Sequence, residues 1–553
     1  MKVLILGGYG VFGGRLARLL LQDGIGVIVA GRDLERAIAF TREYGGAPLF
    51  ADITDDLSPI AKAAPDFVAD AAGPFQAYGN DPYRVPRFCI QNGINYLDLS
   101  DDAEFTAGIT SLNQAAAEAE CVVLSGVSSV PAISAAAVTA LSGAFSELLV
   151  IETAIVPGNR VPRGPSVIAS MLSQTGEPLN VWRGGKWRMY RGWSGAKVLS
   201  FGPGFRRRVN MIGVPDLKLF PQAFGARSVI FRAGLELGLM HRGLALLGLL
   251  RARKVLPKLT AFLRPILWMS QRLEPLGSDR GAMVVDATGV EEGKAIRRRW
   301  QVIANNGEGP FIPAVPARAI IRKHTAIKPG ARPCLFDLTL PEIEDAMAGL
   351  SVEFATSSSE APTLFQNALG ERWEALPASL RCLHSVQDIE SFCGEAQVTR
   401  GTGLLARLAA WFFTFPRAGE SVPLVITKTR TEKGEIWERN FGGRKFRSYL
   451  SASPEPFHCR ERFFAFTYEQ ELPVKEGSLF LAVRRGWCLG IPLPGFLLPK
   501  SNAREYDAGG IFHFDVGLYA PLHGSLIVRY QGHVEPLARG LPPIKRQVSA
   551  RPA

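Results

Sequence analysis

The opening stretch, Met1 to Asp33, constrains the fold of this chain more than any other. Lys2-Val3-Leu4-Ile5-Leu6 is a short apolar run that breaks into Gly7-Gly8-Tyr9-Gly10-Val11-Phe12-Gly13-Gly14, after which Arg15 to Leu21 takes up helical spacing. Val27-Ile28-Val29-Ala30 is a second apolar run, so the order reads strand, glycine turn, helix, strand. Within that unit Gly8-x-Gly10-x-x-Gly13 has the spacing of a dinucleotide fingerprint. Its logic gives Gly8 the tight turn, Gly10 the close approach of backbone to a pyrophosphate, and Gly13 the close packing of helix on strand. Free N–H groups at the helix start then face the phosphates, and Tyr9, Val11 and Phe12 share the cradle. A chain with 57 glycines in 553 residues produces chance matches. Position directly after an apolar strand, at the opening of an amphipathic helix, selects this one.

The end of the second strand bears on which nucleotide is bound. An acid is usual there for the ribose 2′-hydroxyl, whereas this chain reads Gly31-Arg32-Asp33 and sets a guanidinium where a 2′-phosphate would lie. NADP is the expectation, with NAD less favoured. Asp33 keeps NAD open as a displaced ribose acid, or it caps a helix beginning at Leu34.

Alternation continues down the chain. A helix from Asp33 to Tyr44 leads to a third strand, Ala47 to Ala51, that ends at Asp52. A fourth strand, Asp66 to Ala72, runs into Gly73-Pro74-Phe75; a fifth spans Asn95 to Leu99 and a sixth Cys121 to Leu124. Beyond them lie the small-residue loop Ser125 to Ser134 and an alanine-rich helix from Ala135 to Leu141. This pattern predicts an α/β fold, a Rossmann-type doubly wound parallel sheet over residues 1–144, with ligands at the carboxyl ends of its strands. Asp52 is a cofactor candidate near an adenine ring, or else a helix cap; Gly73 and Pro74 turn at the same edge. Tyr78, Asp98, Asp101 and Ser129 also fall there, and none is singled out as a general acid, so no catalytic residue is assigned. For Asp98, orienting substrate competes with helix capping alongside Ser100 and Asp101.

Four segments, in order, carry a family resemblance. They are Gly8-x-Gly10-x-x-Gly13; Ala72-Gly73-Pro74-Phe75 with Tyr78-Gly79; Cys89-Ile90-x-x-Gly93-x-x-Tyr96-x-Asp98; and Gly126-Val127-x-Ser129-x-Pro131. Together they resemble the NADP-binding part of saccharopine dehydrogenase-like reductases. The resemblance implies a nicotinamide-dependent oxidoreductase whose second domain is inserted before closing elements that return to the first; the family also holds members without demonstrated activity. Further on, Leu364-Phe365-x-x-x-Leu369-Gly370-x-x-Trp373-x-x-Leu376-Pro377 and Trp437-x-Arg439-x-Phe441-Gly442-Gly443 resemble the uncharacterised domain that bacterial genomes fuse behind such reductases. That second resemblance implies boundaries and no chemistry.

Residues 145–350 are expected to form an α+β second domain, with a strand at Leu148 to Ile155 and a hairpin of Gly281 to Gly289 with Ile296 to Ala304. Between them lies a basic, apolar stretch read as helical. Pro341 to Ala348 reads as a helix that packs back on the nucleotide domain. Residues 351–362, with Thr356-Ser357-Ser358-Ser359, read as a linker. From 363 to 540 period-two alternation around Lys433-Gly434 and Gly442-Gly443 predicts a β-rich antiparallel domain, and 541–553 a disordered tail.

Charge is local. Arg183 to Arg272 holds eighteen Lys and Arg against Asp216 and Glu236, a +16 segment in a chain of +12. Mixed with large apolar residues, it suggests an anionic membrane surface or an acyl-phosphate-like substrate, or else a solvated face over a helical core. It does not suggest nucleic acid, for which no groove-reading motif or stacking platform is present. No window of eighteen apolar residues occurs, and the seven cysteines include no C-x-x-C pair. A cytoplasmic protein is expected, with peripheral contact at the inner membrane and a homodimer as further expectations. His513, His523 and His533 recur every ten residues but have no companion motif, so no metal is expected.

The expected function is an NADP-dependent oxidoreductase moving hydride to or from a hydrophobic or acyl-linked small molecule. A nucleotide-binding scaffold or sensor without turnover, and a peripheral membrane protein, are the alternatives.

Overall fold

The computed structural model describes residues 1–162, 164–521 and 524–537. They form two compact units, one from Met1–Trp182 with Trp187–Ser359, the other from Arg183–Lys186 with Glu360 onward.

The first unit opens with β1 (Lys2–Leu6), β2 (Gly26–Gly31), β3 (Ala47–Phe50), β4 (Phe67–Asp70), β5 (Asn95–Asp98) and β6 (Val122–Ser125). Their ladders are parallel, in the order β6-β5-β4-β1-β2-β3. Except in the exposed edge strand β3, successive side chains of these strands are buried on opposite faces. Val3, Ile5, Val27 and Val29 meet Leu16 and Leu20 of the helix Gly13–Gln22, while Leu4, Leu6, Ile28 and Val68 meet Val85 and Cys89 of the helix Arg84–Gln91. Burial on both faces is why these strands read as unbroken apolar runs.

A seventh strand, Gly330–Pro333, adds to the free edge of β6, pairing Gly330 with Val122 and Pro333 with Ser125. Residues 330–333, expected in the second domain, therefore complete the first sheet; four residues are too short a run for alternation to reveal. The helix Val315–Arg322 docks with them: Arg318 and Arg322 both donate to the Asp23 carboxylate at the end of the first helix, at 2.6–2.9 Å. The helix Leu340–Ala346 packs against Val315–Arg322, closed by a capping box between Thr339 and Glu342.

The inserted region is a mixed sheet of seven strands, in the order Ser194–Ser200, Arg206–Met211, Ser228–Ala233, Glu147–Val156, Gly281–Glu291, Lys294–Ala304, Val352–Glu360. Two expectations are corrected here. The stretch 183–272 is not helical throughout, since Arg206–Met211 is a strand that begins with exposed Arg206 and Arg208 and ends with Val209, Asn210 and Met211 buried. Residues 351–362 are not a linker but carry the edge strand Val352–Glu360. Its side chains are mostly exposed, so a strand held by its backbone looked like loop composition. The helices Gly238–Ala252 and Leu263–Arg272 leave Leu239, Leu246 and Trp268 exposed, and Val255 is exposed between them, beside exposed Arg242, Arg253, Lys254 and Arg264. Among the described residues no helix is long and apolar enough to cross a membrane.

The second unit is one antiparallel sheet of thirteen strands, with Ile389–Arg400 and Gly419–Thr431 near its middle. The helices Leu364–Leu369 and Ala378–His384 place Phe365, Leu380 and Leu383 in its core with Phe392, Leu424 and Trp437. A charged cluster is fully buried there: Lys428 Nζ lies 3.1 Å from Glu435 and donates to the Leu383 carbonyl, while His384 Nε2 is 2.7 Å from Glu505. His458–Phe463 and Phe466–Glu471 form a hairpin folded back at Phe464. His523 and the tail 541–553 lie outside the described residues.

Candidate functional site

The glycine turn sits where β1 ends. Gly7, not Gly8, takes the left-handed conformation, at φ +69°, and the Gly10 N–H closes the turn on the Gly7 carbonyl at 2.8 Å. A Cβ on Gly7 would meet the backbone of Ala71 and Ala72, so the tight turn belongs one residue earlier than the spacing implies. Gly8 is instead confined against the Ile5 carbonyl and Val29. A Cβ on Gly13 would collide with the Gly7 carbonyl oxygen, the closeness of helix start to strand end that its position requires.

Around this turn opens a cleft of about 1320 Å3. Tyr9, Gly10, Val11, Phe12, Arg32, Asp52, Gly73, Pro74 and Tyr78 line it; Gly8 and Gly13 lie beneath its floor. At the end of β2, Asp33 accepts the Arg36 N–H at 3.0 Å, which caps the helix Leu34–Tyr44 and commits the carboxylate. The Asp33 N–H donates to the Tyr9 hydroxyl at 3.0 Å, and the Arg36 guanidinium lies 4.8 Å over the Tyr9 ring. Exposed Arg36 thus covers an aromatic ring on the cleft wall, which exposed Arg32 also lines. At the end of β3, Asp52 caps no helix: its Oδ1 accepts from the Thr54 N–H and hydroxyl, at 2.9 and 2.8 Å. Arg84 pins the same loop through the carbonyls of Ile53 and Asp55.

The other wall comes from the inserted region. Gly164, Pro165 and Ser166 open the helix Pro165–Gln174, and a Cβ on Gly164 would lie 3.2 Å from Val11. Sequence reasoning missed these residues, together with Arg36 and Arg84, although a glycine followed by proline is a helix-start signal.

Beside the cleft are the acids that end β4 and β5. Asp70, fully buried, accepts from Ala72 N–H at 3.0 Å and from the Tyr78 hydroxyl at 3.0 Å, with burial raising its pKa to about 6. Burial and this carboxylate together push the Tyr78 phenol up. Asp98 gathers three donors on Oδ1, the Ser100 N–H, the Gly126 N–H and the Ser125 hydroxyl, at 2.9–3.0 Å. Its Oδ2 has no hydrogen-bond partner among the described residues, and burial raises its pKa to about 7. Asp98 is no helix cap; Asp102 fills that role, accepting from the Phe105 N–H. Of the four edge candidates only Tyr78 reaches the cleft wall. Ser129 is buried in the turn Ser129–Ile133, and Asp101 accepts from the Ser170 hydroxyl at 3.3 Å.

The donor set suits a phosphorylated dinucleotide: a glycine turn that admits no side chain, and guanidiniums where the second strand ends. Residues 3–124 match the family model for the saccharopine dehydrogenase NADP binding domain. The N-terminal domain is similar to saccharopine dehydrogenases. Residues 376–534 match a domain of unknown function, DUF4166, which follows the saccharopine dehydrogenase-like part in the same chain. Among solved structures, apo histidine-tagged saccharopine dehydrogenase (L-Glu forming) from Saccharomyces cerevisiae is 16% identical, over 64% of this chain and 99% of that one, at a TM-score of 0.45. UDP-glucose-4-epimerase from Stenotrophomonas maltophila is 25% identical over 18% of this chain and 36% of that one, at 0.16. A short-chain dehydrogenase from Streptomyces avermitilis is 18% identical over 18% and 48%, at 0.15. No curated protein matches the chain. The saccharopine dehydrogenase-like match supports NADP binding and, in general terms, an oxidoreductase.

Among the described residues no group of three His, Cys, Asp or Glu could hold a metal ion. His513 and His533 are cross-strand partners with rings 5.5 Å apart.

Proposed function

We propose that the protein is an NADP-dependent oxidoreductase acting on a hydrophobic or acyl-linked small molecule. The observation that carries this is the end of β2, where the one acid caps a helix through its Oδ1 while exposed Arg32 lines the cleft and the Arg36 guanidinium lies over the Tyr9 ring beside it. Bound NADP would donate or accept the hydride. The chain's part is to hold phosphate on Arg32 and the backbone of the glycine turn, and to close the far wall with Gly164, Pro165 and Ser166. Tyr78, whose phenol stays protonated and is held by Asp70, is the candidate hydroxyl on the cleft wall. Calorimetric titration should give NADPH at least about tenfold tighter binding than NADH, as 2′-phosphate recognition by arginine requires. Equal affinities would reject the NADP preference, and failure of both to bind would reject the reading.

A scaffold or sensor without turnover is the second reading. It is favoured by Asp98, whose three donors, Ser100 after β5 and Ser125 and Gly126 at the end of β6, hold it away from the cleft. No NADPH oxidation across aldehydes, ketones and acyl thioesters, with NADPH bound, would select it. Lipid contact through 183–272 is supported by the exposed Leu239, Leu246, Val255 and Trp268 among arginines and lysines. Sedimentation with anionic vesicles, lost at high salt, is its test.

A further inference from the structure

The C-terminal sheet encloses a cavity that has no part in the nucleotide reading. Inward side chains of successive strands, among them Ile426, Trp437, Phe441, Phe446, Phe514 and Tyr530, surround about 160 Å3 of space. The charged and amide groups on its wall are engaged with one another or with neighbours just outside it. Arg439 donates to the Ser448 hydroxyl at 2.9 Å and lies 3.4 Å from Glu461; Gln470 donates to Glu461 at 3.0 Å; Glu505 is held by His384. Apart from Tyr468, Ser501 and Tyr530, what remains is hydrocarbon and phenylalanine or tryptophan ring surface, and a mainly apolar void of roughly 150 Å3 takes up a molecule such as benzene.

One helix roofs this space. Ala409, with Phe413 and Phe415 just beyond the helix Leu404–Phe412, lies on the cavity wall. On the outside Leu404, Leu408, Trp411 and Phe412 form a stripe at helical spacing, with Trp411 78% exposed. Neighbouring hairpin tips extend it: the exposed Phe464 ring is 5.8 Å from Phe412, and the N–H of Leu489, itself 81% exposed, bonds the Ala465 carbonyl. An apolar patch of this kind marks a contact with a lipid or a partner. Exposed Arg407, Arg417, Lys445 and Arg447 border it, and Glu438 is shared between Lys445 and Arg447, which favours anionic headgroups.

We propose that the interior of the C-terminal sheet binds the end of a hydrocarbon chain bearing an anionic head, admitted beneath the helix Leu404–Phe412, whose outer face rests on a lipid surface. The cavity takes the chain's terminal segment and the remainder leaves under the helix towards the basic border.

The test uses the full chain and two probes, free parinaric acid and phosphatidylcholine vesicles with or without phosphatidylglycerol. Parinaric acid fluorescence should rise saturably at one per chain. Ala409→Trp, which fills the space under the roof, should weaken that binding about tenfold or more, in line with loss of a buried apolar contact of about 1.4 kcal/mol or greater. Should that variant not fold, a brominated fatty acid should quench the wild type more than Trp437→Phe. The double variant Leu408→Ser/Trp411→Ser should keep parinaric acid binding while losing flotation with phosphatidylglycerol vesicles. Wild-type flotation together with parinaric acid binding supports the site and its lipid surface; binding without flotation overturns the lipid surface and leaves a free fatty acid as the chain's source. Absence of saturable binding, or binding unchanged by Ala409→Trp and quenching unchanged by Trp437→Phe, overturns the site. Flotation unchanged in the double variant overturns the entry face. None of these readouts involves NADP, so failure here leaves the oxidoreductase reading standing.

Discussion

Asp70 and Asp98 are register partners at the ends of β4 and β5, two buried carboxyls side by side at the carboxyl edge of the parallel sheet. Each is kept in the protonated form to higher pH by burial, and for Asp98 the neighbouring Asp70 adds to the effect.

This pair sets a pH dependence. A raised acid contributes stability that is complete below its unfolded pKa and is lost as pH rises through the folded value. For Asp98 the window therefore runs from about 4 up to about 7. Asp98→Asn keeps the Oδ1 acceptor and removes the titration. It should flatten the fall in melting temperature across that window and, at pH 8, stabilise by about 2–4 kcal/mol, since each pKa unit is worth about 1.4 kcal/mol. Thermal melts from pH 4 to 8 measure it; parallel curves for the two proteins would refute it.

Arg32→Ala should weaken NADPH binding by about tenfold to a hundredfold while leaving NADH within about twofold, because only the former presents a phosphate for the charge-assisted contact. Calorimetry with both nucleotides decides. Equal losses would mean that Arg32 acts on something other than the 2′-phosphate.

Asp23→Asn should loosen the junction between the first helix and Val315–Arg322. Burial alone would raise Asp23, but the guanidiniums of Arg318 and Arg322 overcome it and hold the carboxyl at about 2. A depressed acid stabilises above its unfolded pKa and loses that contribution as pH falls through the folded value, here from about 4 to about 2. At pH 7 the variant should lose about 2 kcal/mol in urea unfolding, between values for surface and buried pairs. An unchanged midpoint would show the junction to be held by packing alone.

Lys428→Met leaves the Glu435 carboxylate buried without its cation and should cost about 3–5 kcal/mol. Lys428→Met/Glu435→Gln removes both charges and should recover most of that loss, again by denaturant unfolding. A double variant no better than the single one would show that Lys428 matters through its bond to the Leu383 carbonyl and its contacts with the Phe365 and Trp437 rings rather than through its pairing with Glu435.

How much of this was legible depends on whether a residue's role is decided locally. Strand, turn and helix at Met1 to Asp33 are local events, and the nucleotide domain could be read from them. The left-handed residue was placed one position late because the choice of Gly7 over Gly8 depends on Ala71 and Ala72, distant in sequence. Asp70 lay unremarked inside an apolar run, since its meaning comes from Tyr78 and Tyr96 folding over it. In the C-terminal sheet, Ile389–Arg400 was missed because Gly394 and three glutamate or glutamine residues dilute the alternation of Phe392, Ala396 and Val398; the backbone of His533 occupies the space a side chain at Gly394 would need.

The strand Gly330–Pro333 carries a consequence for biosynthesis. While the ribosome adds the roughly 200 residues that separate it from β6, the partly built sheet presents a bare row of amides and carbonyls along Val122–Ser125. Fragments ending near residue 144 retain that open margin permanently, so they should self-associate during expression, whereas a shortened gene that splices 309–350 onto the same segment should yield dispersed material.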